Sequence, residues 1–292
     1  MKSLRSSSRS GTSYRWMVAP ALVFAGVMIV FPFGYAVWLS LCEIALGQPP
    51  RLNGGANYAR LAADADFWNG LRLTLLLYVI SLVAQLVIGT WLGLLLARSR
   101  WARGIIRTIL VSPFMLPPVV IGMMAIVILD PSFGIANWIL AQLGLPPRLW
   151  LSDPDTVILT VAAIDTWQWT PFVALIVMGG YLSLPGEVFE AAEVDGARGW
   201  QRFRRLTLPL LGPTLVTAAV LRSVDLLRFF DVIYITTQGG PGTASTTLNI
   251  MAYRRGFEFF DIGYASAIMV TLSAIIFGSV LAFARLRRAV TW

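Results

Sequence analysis

The chain has 292 residues, of which 57% are hydrophobic and 13% charged. With a mean hydropathy of +0.72 it is too apolar for a soluble domain, and runs of about 20 apolar residues, each long enough to cross a bilayer as a helix, override the one or two globular domains that length suggests. The formal charge of +8 invites a nucleic-acid partner, but in a membrane chain basic residues first report topology; the absence of His and the solitary Cys42 exclude an intrachain disulfide, a thiolate metal site and the commonest metal ligand and general base.

Lys2, Arg5, Arg9 and Arg15 precede an apolar stretch from Trp16 to Leu41. The stretch is too long for a signal-peptide core and lacks a small-residue cleavage site, so it reads as the first transmembrane helix. Pro20 and Pro32 are tolerated there because neighbouring helices re-satisfy the backbone. Further spans are expected near 71–97, 108–129, 156–181, 210–236 and 263–284, six with the first. The fold class is therefore all-α, a polytopic membrane protein with six transmembrane helices and both termini on one side. Its divisions are a tail (1–15), a first helix with an outer loop (16–70), a core (71–284) containing an inner loop at 182–209, and a second tail (285–292). The Ser/Arg-rich first 13 residues read as disordered.

Arginine and lysine fix the orientation. One set of connections holds Lys2, Arg5, Arg9 and Arg15, then Arg98, Arg100, Arg103 and Arg107, then Arg198, Arg202, Arg204 and Arg205, then Arg285, Arg287 and Arg288. The other holds Arg51, Arg60, Arg72, Arg148, Arg254 and Arg255, diluted by acids such as Asp64, Asp153, Glu258 and Asp261. The positive-inside rule makes the first set, both termini and the 182–209 loop cytoplasmic. The outer connections carry turn chemistry, as in Asn53-Gly54-Gly55, Asp130-Pro131 and Gly239-Gly240-Pro241-Gly242, and none is long enough for a folded domain.

The inner loop is a polar island, with Glu187, Glu190 and Glu193 near the start of a short helix, where the macrodipole favours acids. Gly196 and Gly199 interrupt it, Arg202, Arg204 and Arg205 follow, and Pro209 announces the fifth span. From these generic features alone, an amphipathic helix lying on anionic headgroups is an equal reading. The run Glu190-Ala191-Ala192, Asp195-Gly196-Ala197, Phe203 and Leu208-Pro209 resembles, nearly position for position, the cytoplasmic coupling loop of bacterial ATP-binding-cassette (ABC) importer permeases. The blocks Arg107 to Asn137, Phe230 to Tyr234 and Gly239-Gly240-Pro241 extend the similarity to the maltose/trehalose-type carbohydrate permeases over about residues 16–284; Arg72 departs from it, where relatives carry a neutral residue.

That resemblance implies a type I importer permease fold in the bacterial cytoplasmic membrane. It implies that Glu190, Ala191, Ala192, Asp195, Gly196 and Ala197 contact an ATPase, with Gly196 supplying a bend and Pro209 closing the loop. The implied partners are a second permease, a pair of ATP-binding subunits and a periplasmic or lipid-anchored solute-binding protein. No cofactor is expected on this chain, since no G-x-x-x-x-G-K-[ST] sequence occurs and ATP with Mg belongs to the partner ATPase.

The fifth span carries Arg222, Asp225, Arg228 and Asp231, each costly alone in a bilayer. Their i, i+3 spacing lets acids neutralise arginines, yet on a continuous helix successive members rotate by about 60°, so they are expected to fan out and not share one cavity. Asp165 on the fourth span is expected near the depth of Arg228, with Trp167, Trp169 and Phe229 as aromatic platforms. A polar pathway for a polyhydroxylated ligand suits these residues, since Arg and Asp bind hydroxyls while aromatic faces stack on sugar rings. Interhelical ion pairs that only fix packing remain the alternative, especially for Asp165 and Asp231. Gly89 to Gly93 is a small-xxx-small pattern expected to bring two helices close.

The sequence therefore points to one half of a sugar-importer pore, non-catalytic in itself. Polyol, glycerol-phosphate-like and sulfonated-sugar solutes stay open. A secondary transporter leaves the inner loop unexplained and lacks the internal repeat common in that class, and a membrane enzyme lacks a catalytic constellation.

Overall fold

The structure, a computed structural model, describes residues 11–44, 49–98 and 104–290. Helix α1 (Gly11–Ser40) leads through a two-residue antiparallel hairpin, β1 (Cys42–Glu43) and β2 (Arg51–Leu52), to α2 (Ala56–Ala63) and the long α3 (Ala65–Arg98). Then come α4 (Ile105–Met115), α5 (Pro118–Ile128), α6 (Ile135–Gln142) and α7 (Val157–Leu182). The inner loop forms α8 (Gly186–Val194), α9 (Gly199–Arg202), a π-helical turn (Phe203–Thr207) and α10 (Leu208–Leu210). The chain closes with α11 (Gly212–Leu227), α12 (Asp231–Thr236), α13 (Leu248–Tyr253), a second π-helical turn (Arg254–Glu258) and α14 (Ile262–Val290).

Among the described residues four helices are long and apolar enough to cross a membrane, or six if each of two bent pairs counts as one span. Two expected spans are therefore not single rods. The third breaks between α4 and α5, which meet at 103°. Its cause is local: Leu116 and Pro117 are extended (ψ 139° and 141°), because the prolines at 117 and 118 bar the α conformation before them and supply no amide. The segments Gly199–Leu210 and Gly212–Thr236 meet at 63°, and regular helix lapses again between Leu227 and Asp231. At the ends, residues 11–13, expected to be disordered, open α1, and α14 continues through 285–290; Lys2, Arg5, Arg9, Arg100 and Arg103 lie outside the described residues.

The core is α3 packed on α7, with α11 and α14 against them. Gly89 and Gly93 make the approach possible, since a Cβ at Gly89 would lie 2.7 Å from Val173 Cβ and one at Gly93 2.6 Å from the Ala174 carbonyl oxygen. The small-xxx-small pattern is thus a close helix seam. By contrast, none of the most apolar stretch of α1 is buried within the chain.

At the end bearing the outer connections, acids answer the arginines. Arg60 pairs with Asp261 at 2.7 Å, Arg254 with Glu258 at 3.3 Å and Arg255 with Asp64 at 3.9 Å. The Tyr264 hydroxyl donates to Asp64 at 2.6 Å, tying the start of α3 to α14. Burial raises the pKa of Asp64, but the Tyr264 bond, the Asp66 amide and the Arg255 charge outweigh it and leave the carboxyl below its ordinary value.

Candidate functional site

Two sites emerge on the same packed helices, one at the loop that joins α7 to α11 and one within the bundle. The first is the inner elbow. Helix α8 ends at Asp195 in a Schellman motif: the Ala197 amide donates to the Ala192 carbonyl at 2.9 Å and the Gly196 amide to Glu193 at 3.1 Å. Gly196 sits at φ +78°, and a Cβ there would meet nothing within 4 Å, so glycine is required by backbone conformation and not by space. Glu190, Ala191, Asp195 and Pro209 are exposed, Ala192 and Ala197 half-buried, and Val194 stands 89% exposed beside them. The elbow thus exposes small residues, carboxylates and a bare valine together.

Its base is anchored firmly. Arg202 pairs with Glu193 and lies over the Phe189 ring, closing α9 back on α8. Phe203 stacks between Trp91 of α3 and Trp200, with both centroid separations 5.1 Å. Phe203 also packs on the apolar cluster of Leu94, Val173, Val177, Leu211 and Ala218, which joins the base of the elbow to α3, α7 and α11.

The second site lies deeper. Asp165 is fully buried on α7 and Arg222 is 1% exposed on α11. The Arg222 Nη2 donates to both Asp165 oxygens (3.2 and 3.1 Å), its Nε donates to Gln85 Oε1 at 2.7 Å, and Gln85 Nε2 donates to Asp165 Oδ2 at 2.6 Å. This closed ring ties α3, α7 and α11 together. The remaining nitrogen, Nη1, reaches Asp225 at 3.5 Å, and Trp169 lies 4.3 Å under the guanidinium carbon.

Beside the ring opens a pocket of about 230 Å³ lined by Trp169, Arg222, Asp225, Arg228, Phe229 and Asp231, with Pro118 and Phe230. Five of the sequence-derived pathway residues thus meet: Trp169, Arg222, Asp225, Arg228 and Phe229. The expectation that the fifth-span charges fan out is corrected. All four line one pocket, because α11 stops at Leu227 and the continuous-helix rotation no longer applies to Arg228 and Asp231. Asp165 pairs with Arg222, which is still helical, and not with Arg228, which has left the helix. Asp165 sits behind the pocket wall, and Trp167 faces away from it into two apolar grooves, one toward α5 and one toward α3 and α4. Gln85 was not singled out from the sequence, although a lone amide in the middle of an apolar span was the signal.

Residues 85–291 match the family described as binding-protein-dependent transport system inner membrane component. The chain is similar to the trehalose/maltose transport system permease protein MalF of Thermococcus litoralis, with 32% identity over 93% of this chain and 92% of that one. It is also similar to the sulfoquinovosyl glycerol transport system permease protein SmoG of Agrobacterium fabrum, with 32% identity over 89% of this chain and 85% of that one. In fold it matches a crystal structure of a bacterial ABC transporter involved in the import of the acidic polysaccharide alginate, with a TM-score of 0.81 and 23% identity over 96% of this chain and 98% of that one. Fold and site together define a membrane-embedded, non-catalytic pore subunit with the type I importer permease architecture. The chain belongs to the family of binding-protein-dependent ABC importer permeases.

Proposed function

We propose that this chain forms half of the pore of an ATP-driven importer for a neutral sugar or polyol, with its termini and elbow on the cytoplasmic side of the inner membrane. A second permease completes the pore, two ATP-binding subunits hold ATP and Mg, and a solute-binding protein delivers the ligand at the outer face. The observation that carries this reading is the exposed, Schellman-capped elbow, anchored through Phe203 to the helices that wall the charged pocket. Closure of the ATPases beneath Glu190–Ala197 would rock α7 and α11 against each other, and with them the pocket.

The charges argue for an uncharged solute. Within this chain the two arginines of the pocket, Arg222 and Arg228, stand with the two aspartates Asp225 and Asp231, and Asp165 pairs with Arg222 from behind the wall, so no guanidinium is in excess for a sulfonate or phosphate. Trp169 and Phe229 offer ring faces, and Asp225 and Arg228 offer hydroxyl partners. Proteoliposomes holding the full complex test the coupling role. In Glu190→Ala and Gly196→Pro complexes, assembly and ATP hydrolysis should persist while uptake is lost. Normal uptake in both, or uptake by this chain alone on a proton gradient, refutes the proposal.

A further inference from the structure

The pocket described above leaves a second concavity unused. It lies between α5 and α7 on the outward-turned side of the chain and has a volume of about 470 Å³. On α7 it is lined by Thr156, Leu159, Thr160, Ala163, Ile164 and Trp167, which follow i, i+3, i+4, i+7 spacing and form a single stripe. On α5 a matching stripe runs through Ile121, Met124, Ala125 and Ile128. The walls are apolar, and the one hydroxyl of the α7 stripe buried in its wall, Thr160, donates back to the Thr156 carbonyl at 3.1 Å. No polar solute is suited to such a groove.

Its polarity is confined to the outer end, where Arg148 and Trp150 stand at the mouth. That end is built. Asn137 of α6 is buried; its Oδ1 accepts from the Arg148 amide and from the Trp150 indole, both at 3.0 Å, and its Nδ2 donates to the Arg148 carbonyl at 3.0 Å. The clamp spends a whole buried amide on fixing a three-residue segment. The Arg148 side chain itself is exposed, 6.0 Å from the Trp150 ring, and no carboxylate pairs with it among the described residues.

The mouth and the length of the stripe name the occupant. Trp and Arg side chains settle at a membrane interface. From Arg148 and Trp150 the stripe of Thr156 to Trp167 covers about 16 Å of helix, close to the ~15 Å of one hydrocarbon leaflet and the reach of one acyl chain. It then adjoins a second apolar concavity that shares Leu159, Ala163 and Trp167. We propose that this groove binds an anionic phospholipid of the outer leaflet, its acyl chain between α5 and α7 and its phosphate on Arg148. The bound lipid would hold α5 against α7 next to Pro118, at the rim of the solute pocket.

Native mass spectrometry of the assembled complex, released from nanodiscs containing phosphatidylglycerol and phosphatidylethanolamine, reads the site directly. The wild-type complex should retain phosphatidylglycerol in preference. Arg148→Ala should weaken that preference by about fivefold, the effect of one interfacial basic residue. Ala163→Phe, at an exposed position, should expel lipid of either headgroup. A single-cysteine readout separates the rival occupant, since Cys42 is buried: in an Ala163→Cys complex, a disulfide to a cysteine on the second permease would place a protein helix in the groove and overturn the proposal. So would equal phosphatidylglycerol retention by wild type and both variants.

Discussion

The ring of Gln85, Asp165 and Arg222 yields the most exposed prediction. Deleting the carboxylate, as in Asp165→Leu, leaves an almost fully buried guanidinium with one amide and a 3.5 Å contact to Asp225. Breaking a buried pair in this way costs about 3–5 kcal/mol, because the surviving charge stays desolvated. Removing both charges, Asp165→Leu with Arg222→Met, recovers most of that loss but strands the buried Gln85 Oε1, while Nε2 keeps only the Asp165 backbone carbonyl at 3.4 Å, a penalty of about 1–3 kcal/mol. Adding Gln85→Leu removes the last unsatisfied group, so the triple variant should return to near wild-type stability. Equilibrium unfolding of the complex in mixed micelles measures the series. The reasoning is refuted if the triple variant is as unstable as Asp165→Leu, or if the single effects simply add. Uptake supplies an independent reading: the stable triple variant should still fail to transport, because Arg222 also faces the pocket.

Other tests address separate parts of the molecule. Gly93→Val places a Cβ 2.6 Å from the Ala174 carbonyl and should destabilise the α3–α7 seam by about 1–3 kcal/mol, read as a lower unfolding midpoint. Trp169→Ala should raise the KM for uptake, whereas Trp167→Ala, directed away from the pocket, should leave it unchanged; equal effects would contradict the assigned geometry. The depressed pKa of Asp64 stabilises the outer end fully above its unfolded value of about 3.9 and ceases to do so as pH falls through the lower folded value. Asp64→Asn should therefore flatten the acid limb of the stability profile, and an unaltered limb would assign the acid loss elsewhere.

Much of this protein was legible without coordinates. Apolar runs of bilayer length located the membrane helices, and Glu190 to Ala197 marked the elbow, with Gly196 at its bend. These features are local: hydropathy, charge and a positive φ are imposed on short segments by solvent and sterics, whatever the rest of the chain does. The interior of the site was not local. The sequence shows Arg222, Asp225, Arg228 and Asp231 at regular spacing, and helical periodicity spreads them around an axis. Only the end of α11 at Leu227 gathers them on one pocket, and only the α3–α7 seam, closed over Gly89 and Gly93, brings Gln85 to Asp165 and Arg222. Which buried charge meets which depends on where helices stop and how closely they cross, and those distances are set by packing across residues 80 and 137 positions apart in the chain.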